Sequence, residues 1–172
     1  MKQLCILLVA IATFQIAIAQ TEVFKLPSVD VKTLDGKKIN TVENISNDGK
    51  PIIIDFWATW CKPCVMELTA IAENYSEWQA ESGVKLIAVS IDDSKSVNRV
   101  APFVNGKGWE YEIILDQNSD FKRAMNVINV PHVFVVDGQG NVVYQHTTYA
   151  EGDEILLREI VKKVAKGEKL TE

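Results

Sequence analysis

A strongly apolar stretch in the interior of the chain is Pro51-Ile-Ile-Ile-Asp-Phe-Trp57, broken only by Asp55. A run this short and this apolar predicts a strand covered on both faces, central in its sheet. Directly after it, Cys64, Leu68, Ile71, Ala72, Tyr75 and Trp78 recur at helical spacing between Lys62 and Ser82, with Gly83 as the stop. Val84–Ile91 predicts the next strand, and a second stripe at Val97, Val100, Ala101 and Val104 predicts a helix that Pro102 must kink or delay. Glu112–Leu115 reads as a short strand, Asn118–Asn126 as a short helix, and Val133–Tyr144 as a hairpin turning at Asp-Gly-Gln-Gly. The last helix uses Leu156, Leu157, Ile160, Val161 and Val164 and closes at Gly167. Ahead of the apolar run, Val29–Val42 carries an Asp35-Gly36 turn between half-apolar runs, which predicts another hairpin. The alternation of strands and helices specifies an α/β fold, a mixed central sheet with helices on both faces.

The first nineteen residues do not fit that pattern. Lys2 is their only charge, Leu4–Ile18 is nearly all apolar, and Ala17-Ile18-Ala19 supplies an A-x-A site before Gln20. This is the pattern of a cleaved secretory signal peptide, and the apolar run is shorter than the roughly 20 residues of a membrane span. The expected division is therefore 1–19 signal peptide and 20–172 one domain, with no internal repeat or linker. Gln20 also takes the place where a lipid-bearing Cys would stand.

Of the 172 residues, 47% are hydrophobic and 24% charged, enough for one well-buried core. The net charge of −5 becomes −6 when Lys2 is removed, and the basic residues are scattered, so nucleic acid is not an expected partner. Of three cysteines, Cys5 leaves with the signal, and Cys61 and Cys64 remain as a pair two residues apart in a chain bound for an oxidising compartment.

A Cys-x-x-Cys pair at a helix start suits disulfide exchange. The helix N-terminus offers unpaired N–H groups and partial positive charge, which lower a thiol pKa from about 8.5 to roughly 7 or below. Cys61 is the expected attacking thiolate, and Cys64, one turn in, the resolving thiol. Lys62 adds a neighbouring cation and Pro63 suits the first helical turn, so both tune Cys61. The same spacing is half a zinc site, but there is no second cysteine pair and only His132 and His146 as histidines, so no metal and no cofactor are expected. An inert structural disulfide is the other plain reading, weakened because so short a loop restricts little unfolded-chain entropy.

Asp55-Phe-Trp-Ala-Thr-Trp-Cys-Lys-Pro-Cys64 resembles the active-site segment of thioredoxin. The signal peptide, the N-terminal hairpin extension, an inserted helical segment near Ser94–Lys107 and Val130-Pro131 before the last hairpin resemble more closely the extracytoplasmic TlpA and ResA type of protein-disulfide reductase. That resemblance implies a thioredoxin-like fold and carries roles over to single residues. Pro131 matches a cis-proline that packs across the cysteines, leaving the Val130 backbone to pair with a substrate strand. Asp55 matches a buried carboxylate that exchanges a proton with the resolving cysteine. Glu67, one turn after Cys64, matches an acidic residue beside the pair; from the sequence it reads equally as a surface Glu. Trp60 matches an exposed tryptophan flanking the nucleophile, whereas Trp57 reads as core. His132 follows the cis-proline where the family often has Thr, and it either tunes Cys61 or simply begins a strand. The Pro common shortly after Glu67 in the family is missing.

The resemblance also implies periplasmic localisation, oxidised client proteins as partners through a transient mixed disulfide, a membrane-bound thiol donor and a monomer. The expected activity is reduction of client disulfides. A disulfide oxidase or isomerase uses the same parts with opposite poise. A peroxiredoxin shares the scaffold, but Ile54 and Ala58 stand where a peroxidatic cysteine is preceded by Pro and by Thr or Ser. A non-catalytic binding module would have no need of Cys61, Cys64, Asp55 and Pro131 together.

Overall fold

The computed structural model describes residues 24–170; the expected signal peptide, with Cys5, lies outside the described residues. The elements run β1 (Asp30–Thr33), β2 (Lys38–Asn40), α1 (Thr41–Asn44), β3 (Ile52–Trp57), α2 (Lys62–Ser82), β4 (Lys85–Ser90), α3 (Val100–Lys107), β5 (Glu112–Leu115), α4 (Asp120–Ala124), β6 (His132–Val136), β7 (Val142–Thr147) and α5 (Asp153–Ala165). The strands form one sheet in the order β2-β1-β5-β4-β3-β6-β7. β3, β4 and β5 are parallel, and the flanking pairs are antiparallel.

All six residues of β3 are buried, as a strand with helices on both faces requires. Its side chains alternate. Ile53 and Trp57 point with Leu86, Ala88, Val133 and Val135 to a core shared with Leu68, Ile71 and Trp78 of α2, Val100 and Val104 of α3, and Leu157 and Val161 of α5. Ile52, Ile54 and Phe56 point the other way, onto Phe121 and, just past α4, Met125. Each fully buried Leu, Ile or Phe contributes roughly 1.5–3 kcal/mol. Asp55, between Ile54 and Phe56, therefore faces the α2 side of the sheet.

Helix α2 ends where Gly83 adopts φ 66°, a left-handed C-cap that a side chain disfavours. Pro102 neither breaks nor bends α3: a 3-10 turn at Val97–Arg99 precedes the helix, and Pro102 falls in its first turn, where no N–H is required. Two expectations need correction. The N-terminal hairpin stops at Asn40, whose side chain accepts the Val42 N–H and caps α1, so Val42 lies in a helix and is exposed. Leu156 does not belong to the α5 stripe. It is 58% exposed, because the buried face is set by Leu157, Ile160 and Val161, and position 156 lies about 100° around the helix from 157. Among the described residues no helix is long and apolar enough to cross a membrane.

Candidate active site

Parallel strands β3 and β4 end side by side, with Trp57 opposite Ser90 and the Ile91 N–H donating to the Trp57 carbonyl. The chain leaves β3 through Ala58, Thr59 and Trp60 and turns into α2 at Cys61. That short connection is clamped from β4. The Thr59 N–H and hydroxyl donate to the two oxygens of Asp92 at 2.8 and 2.6 Å, and the Ser90 hydroxyl donates to the same carboxylate at 2.9 Å. Asp92 is fully buried. Sequence reasoning missed it; its only signal was an acidic residue just past a buried strand.

Cys61 is the N-cap of α2, and its Sγ accepts the Cys64 N–H at 3.3 Å. A sulfur in that place sits against the unpaired donors and positive end of a 21-residue helix, which favours a thiolate over a thiol. Pro63 occupies the first turn, and Lys62 is exposed beside Cys61. The two sulfurs are joined as a disulfide, with Cys61 nearly and Cys64 fully buried.

Around the pair the structure places the remaining predicted residues. Trp60 is 64% exposed, and Trp57 is fully buried against Trp109 and Phe103. The Val130–Pro131 peptide bond is cis. β6 pairs with β3 through Phe56 and His132, so continuing the register by one sets Pro131 beside Trp57, at the sheet end from which the cysteine loop departs. Val130 packs at the margin of both cores. His132 opens β6 on the face away from the cysteines, stacked on Phe134 with Nε2 3.1 Å from the Gln145 side chain.

Asp55 and Glu67 are both fully buried, so Glu67 is not a surface residue. Among the described residues neither oxygen of Asp55 has a hydrogen-bond partner. Burial pushes the Asp55 carboxyl well above the usual carboxylate range, and Glu67 pushes it the same way. Burial also raises Glu67, to about 8, with Asp153 and Glu154 adding to the effect. Glu67 Oε1 lies 3.0 Å from Nε2 of His146 on β7, while Oε2 is unpartnered among the described residues. His146 was read from the sequence only as a missing metal ligand. The alternation of Tyr144 and His146 with polar Gln145 and Thr147 along β7 was the signal that it turns inward. Among the described residues no group of His, Cys, Asp and Glu side chains could hold a metal ion.

The arrangement is a redox-capable cysteine pair at a helix N-terminus, with two buried carboxylates on the adjoining strand and helix whose pKa values burial raises. The AhpC/TSA family matches residues 24–145. A thiol-disulfide oxidoreductase ResA of Bacillus thuringiensis subsp. konkukian is 30% identical over 138 residues, covering 80% of this chain and 75% of that one. A thioredoxin-like protein from Porphyromonas gingivalis, solved in solution, is 53% identical with a TM-score of 0.73, covering 82% of this chain and 92% of the other. StoA from Bacillus subtilis, at 24% identity and a TM-score of 0.62 over 78% of this chain and 97% of its own, shares the fold.

Proposed function

The chain belongs to the AhpC/TSA family and is a thioredoxin-like thiol-disulfide oxidoreductase, and from that premise we propose that it reduces disulfides of exported client proteins outside the cytoplasm. The observation that carries this reading is Cys61 at the N-cap of α2, its sulfur already accepting the Cys64 N–H. In the reduced protein the Cys61 thiolate attacks one sulfur of a client disulfide; the client's other sulfur leaves as a thiolate and takes a proton from solvent. Cys64 then gives up its proton, attacks Cys61 and releases the second client thiol. A membrane-bound dithiol restores the pair, two electrons and two protons at a time.

Trp60 supplies an exposed aromatic platform for the client, and the Val130 backbone beside Pro131 pairs with the client's extended segment. Lys62 and Pro63 adjust Cys61 from the first helical turn. Asp55 and Glu67 handle the Cys64 proton, which their burial and their raised pKa values suit. The protein acts as an exported monomer.

A peroxidase reading gains nothing at the cysteines, where Ile54 and Ala58 occupy the positions that would assist a peroxidatic sulfur. Reduction of insulin disulfides by the mature protein with dithiothreitol tests the proposal. Turbidity that develops with wild type and fails with Cys61→Ser supports it; equal turbidity with both removes it.

A further inference from the structure

Reduction of client disulfides, the reading on which this inference rests, needs backbone beside the cysteines that is free to pair and held in one direction. Val130 stands just before Pro131 and outside β6, and among the described residues its N–H and carbonyl take no part in the ladders to β3 or β7. Its freedom is decided across the sheet, where β7 ends.

The β6–β7 register runs Phe134 to Gln145, Val133 to His146 and His132 to Thr147, so the next two rungs would set Thr148 opposite Pro131 and Tyr149 opposite Val130. The first of these forms: the Thr148 N–H donates to the Pro131 carbonyl at 3.1 Å. The second does not, because Thr148 turns left-handed, with φ 68°, and carries the chain out of the sheet. Asp48, Ser119 and Asn126 also have positive φ, and Thr148 alone of these residues is β-branched. Left-handed backbone suits Gly, Asn and Asp and is costly for a residue branched at Cβ, which ordinarily extends a strand. The side chain does not account for it: Thr148 is exposed, and its hydroxyl reaches the carbonyl of neighbouring Thr147.

Such a conformation lasts where the surroundings impose it. On one side is the bond to Pro131. On the other, the Tyr149 hydroxyl and the Gly152 N–H both donate to the Glu154 carboxylate, at 2.8 and 3.0 Å, and the Ala150 N–H donates to Asp153 at 2.8 Å. The first turn of α5 thus holds the departing chain.

The geometry points to Thr148 as a positioning residue for client binding: it closes the β6–β7 ladder at Pro131 and turns away before Val130, leaving that backbone to an extended client segment. A β7 one residue longer would bring Tyr149 against Val130 in competition with the client. The last rung also restrains the direction of the free backbone. The proline ring fixes φ and the peptide unit is planar, so only ψ of Pro131 separates the Val130 carbonyl from the carbonyl that Thr148 holds. Thr148 itself touches neither the sulfurs nor the client disulfide.

Two readouts separate positioning from chemistry. One is KM for insulin in reduction driven by dithiothreitol; the other is the first thionitrobenzoate released when the reduced protein meets 5,5′-dithiobis(2-nitrobenzoate), a disulfide with no strand to pair. Thr148→Pro removes the N–H and, with φ held near −65°, cannot make the turn. KM for insulin should rise about fivefold or more, while the first release stays within about twofold of wild type and reports an intact fold. Replacing the Thr148 amide by an ester, through the corresponding α-hydroxy acid, removes the N–H alone and should raise KM about twofold or more; it decides the matter if the proline variant does not fold. Thr148→Gly, the conservative variant, keeps the N–H and makes the turn without strain, so KM should stay within about twofold of wild type. A smaller rise with the ester, a first release slowed as much as insulin reduction, or a rise with Thr148→Gly equal to that with Thr148→Pro would each overturn the assignment. Failure of the exchange reading looks different: wild type would leave insulin intact, or Cys61→Ser would reduce it as well as wild type.

Discussion

Glu67 and His146 stand 79 residues apart in the chain and meet at 3.0 Å, Oε1 to Nε2, tying α2 to the edge strand β7. The carboxyl is fully buried and its pKa is raised from 4.5 to about 8, chiefly by desolvation. Between those values the folded chain binds a proton that the unfolded chain has released. The contribution to stability is thus complete below about 4.5 and lost as pH rises through about 8, at up to about 1.4 kcal/mol per pH unit. Glu67→Gln should flatten that loss. Urea midpoints of the oxidised protein at pH 5.5 and 8 should fall with pH for wild type and fall less for the variant, in which buried Asp55 keeps a raised carboxyl pKa.

Lys62 is exposed at the first helical position, beside Cys61. Lys62→Glu exchanges a cation for an anion at the thiolate and should raise the Cys61 pKa by about half a unit to one unit, cutting its reactivity near pH 7 roughly three- to tenfold. The rate of iodoacetamide alkylation against pH measures this, and high salt should narrow the gap because the site is exposed.

Trp60 contributes a surface and little else. Trp60→Ala should leave stability within about 0.5 kcal/mol while raising KM for a protein disulfide severalfold. Reaction with a small aromatic disulfide should be almost unaffected. Equal loss on both substrates would place Trp60 in the chemistry and not in docking.

Asp92 holds the connection that carries the cysteines through its bonds to Thr59. Asp92→Ala leaves the Thr59 N–H without its acceptor and should cost about 2–4 kcal/mol, whereas Asp92→Asn, which keeps an acceptor oxygen, should cost about half as much. Thermal melts of the two variants beside wild type give the comparison.

Much of this could be read from local pattern. The apolar run at Ile52–Trp57, broken only by Asp55, located the central strand, the helical stripe with Gly83 gave α2 its limits, and β5 fell where its four residues were expected. Cys61, Pro63 and Lys62 were legible because their places depend on a helix start, a feature of neighbouring residues. What escaped was tertiary. Nothing near Glu67 in sequence distinguishes a surface Glu from one closed in by β7, and nothing near His146 announces a carboxylate contributed by α2. The Asp92 clamp likewise depends on two strand ends meeting. Leu156 was misplaced for a simpler reason: three consecutive apolar residues, Ile155 to Leu157, cannot all face one side of a helix, and packing against α2 selected Leu157.

The central claim, that the Cys61–Cys64 pair donates electrons to client disulfides, is tested most directly by its reduction potential. Mature protein would be equilibrated in glutathione or dithiothreitol buffers, alkylated, and its free thiols counted by intact mass. A midpoint near or below about −250 mV is predicted, placing the pair with thioredoxin-like reductants. A midpoint near about −120 mV would contradict the account, because a pair so readily reduced takes electrons from clients and introduces disulfides into them.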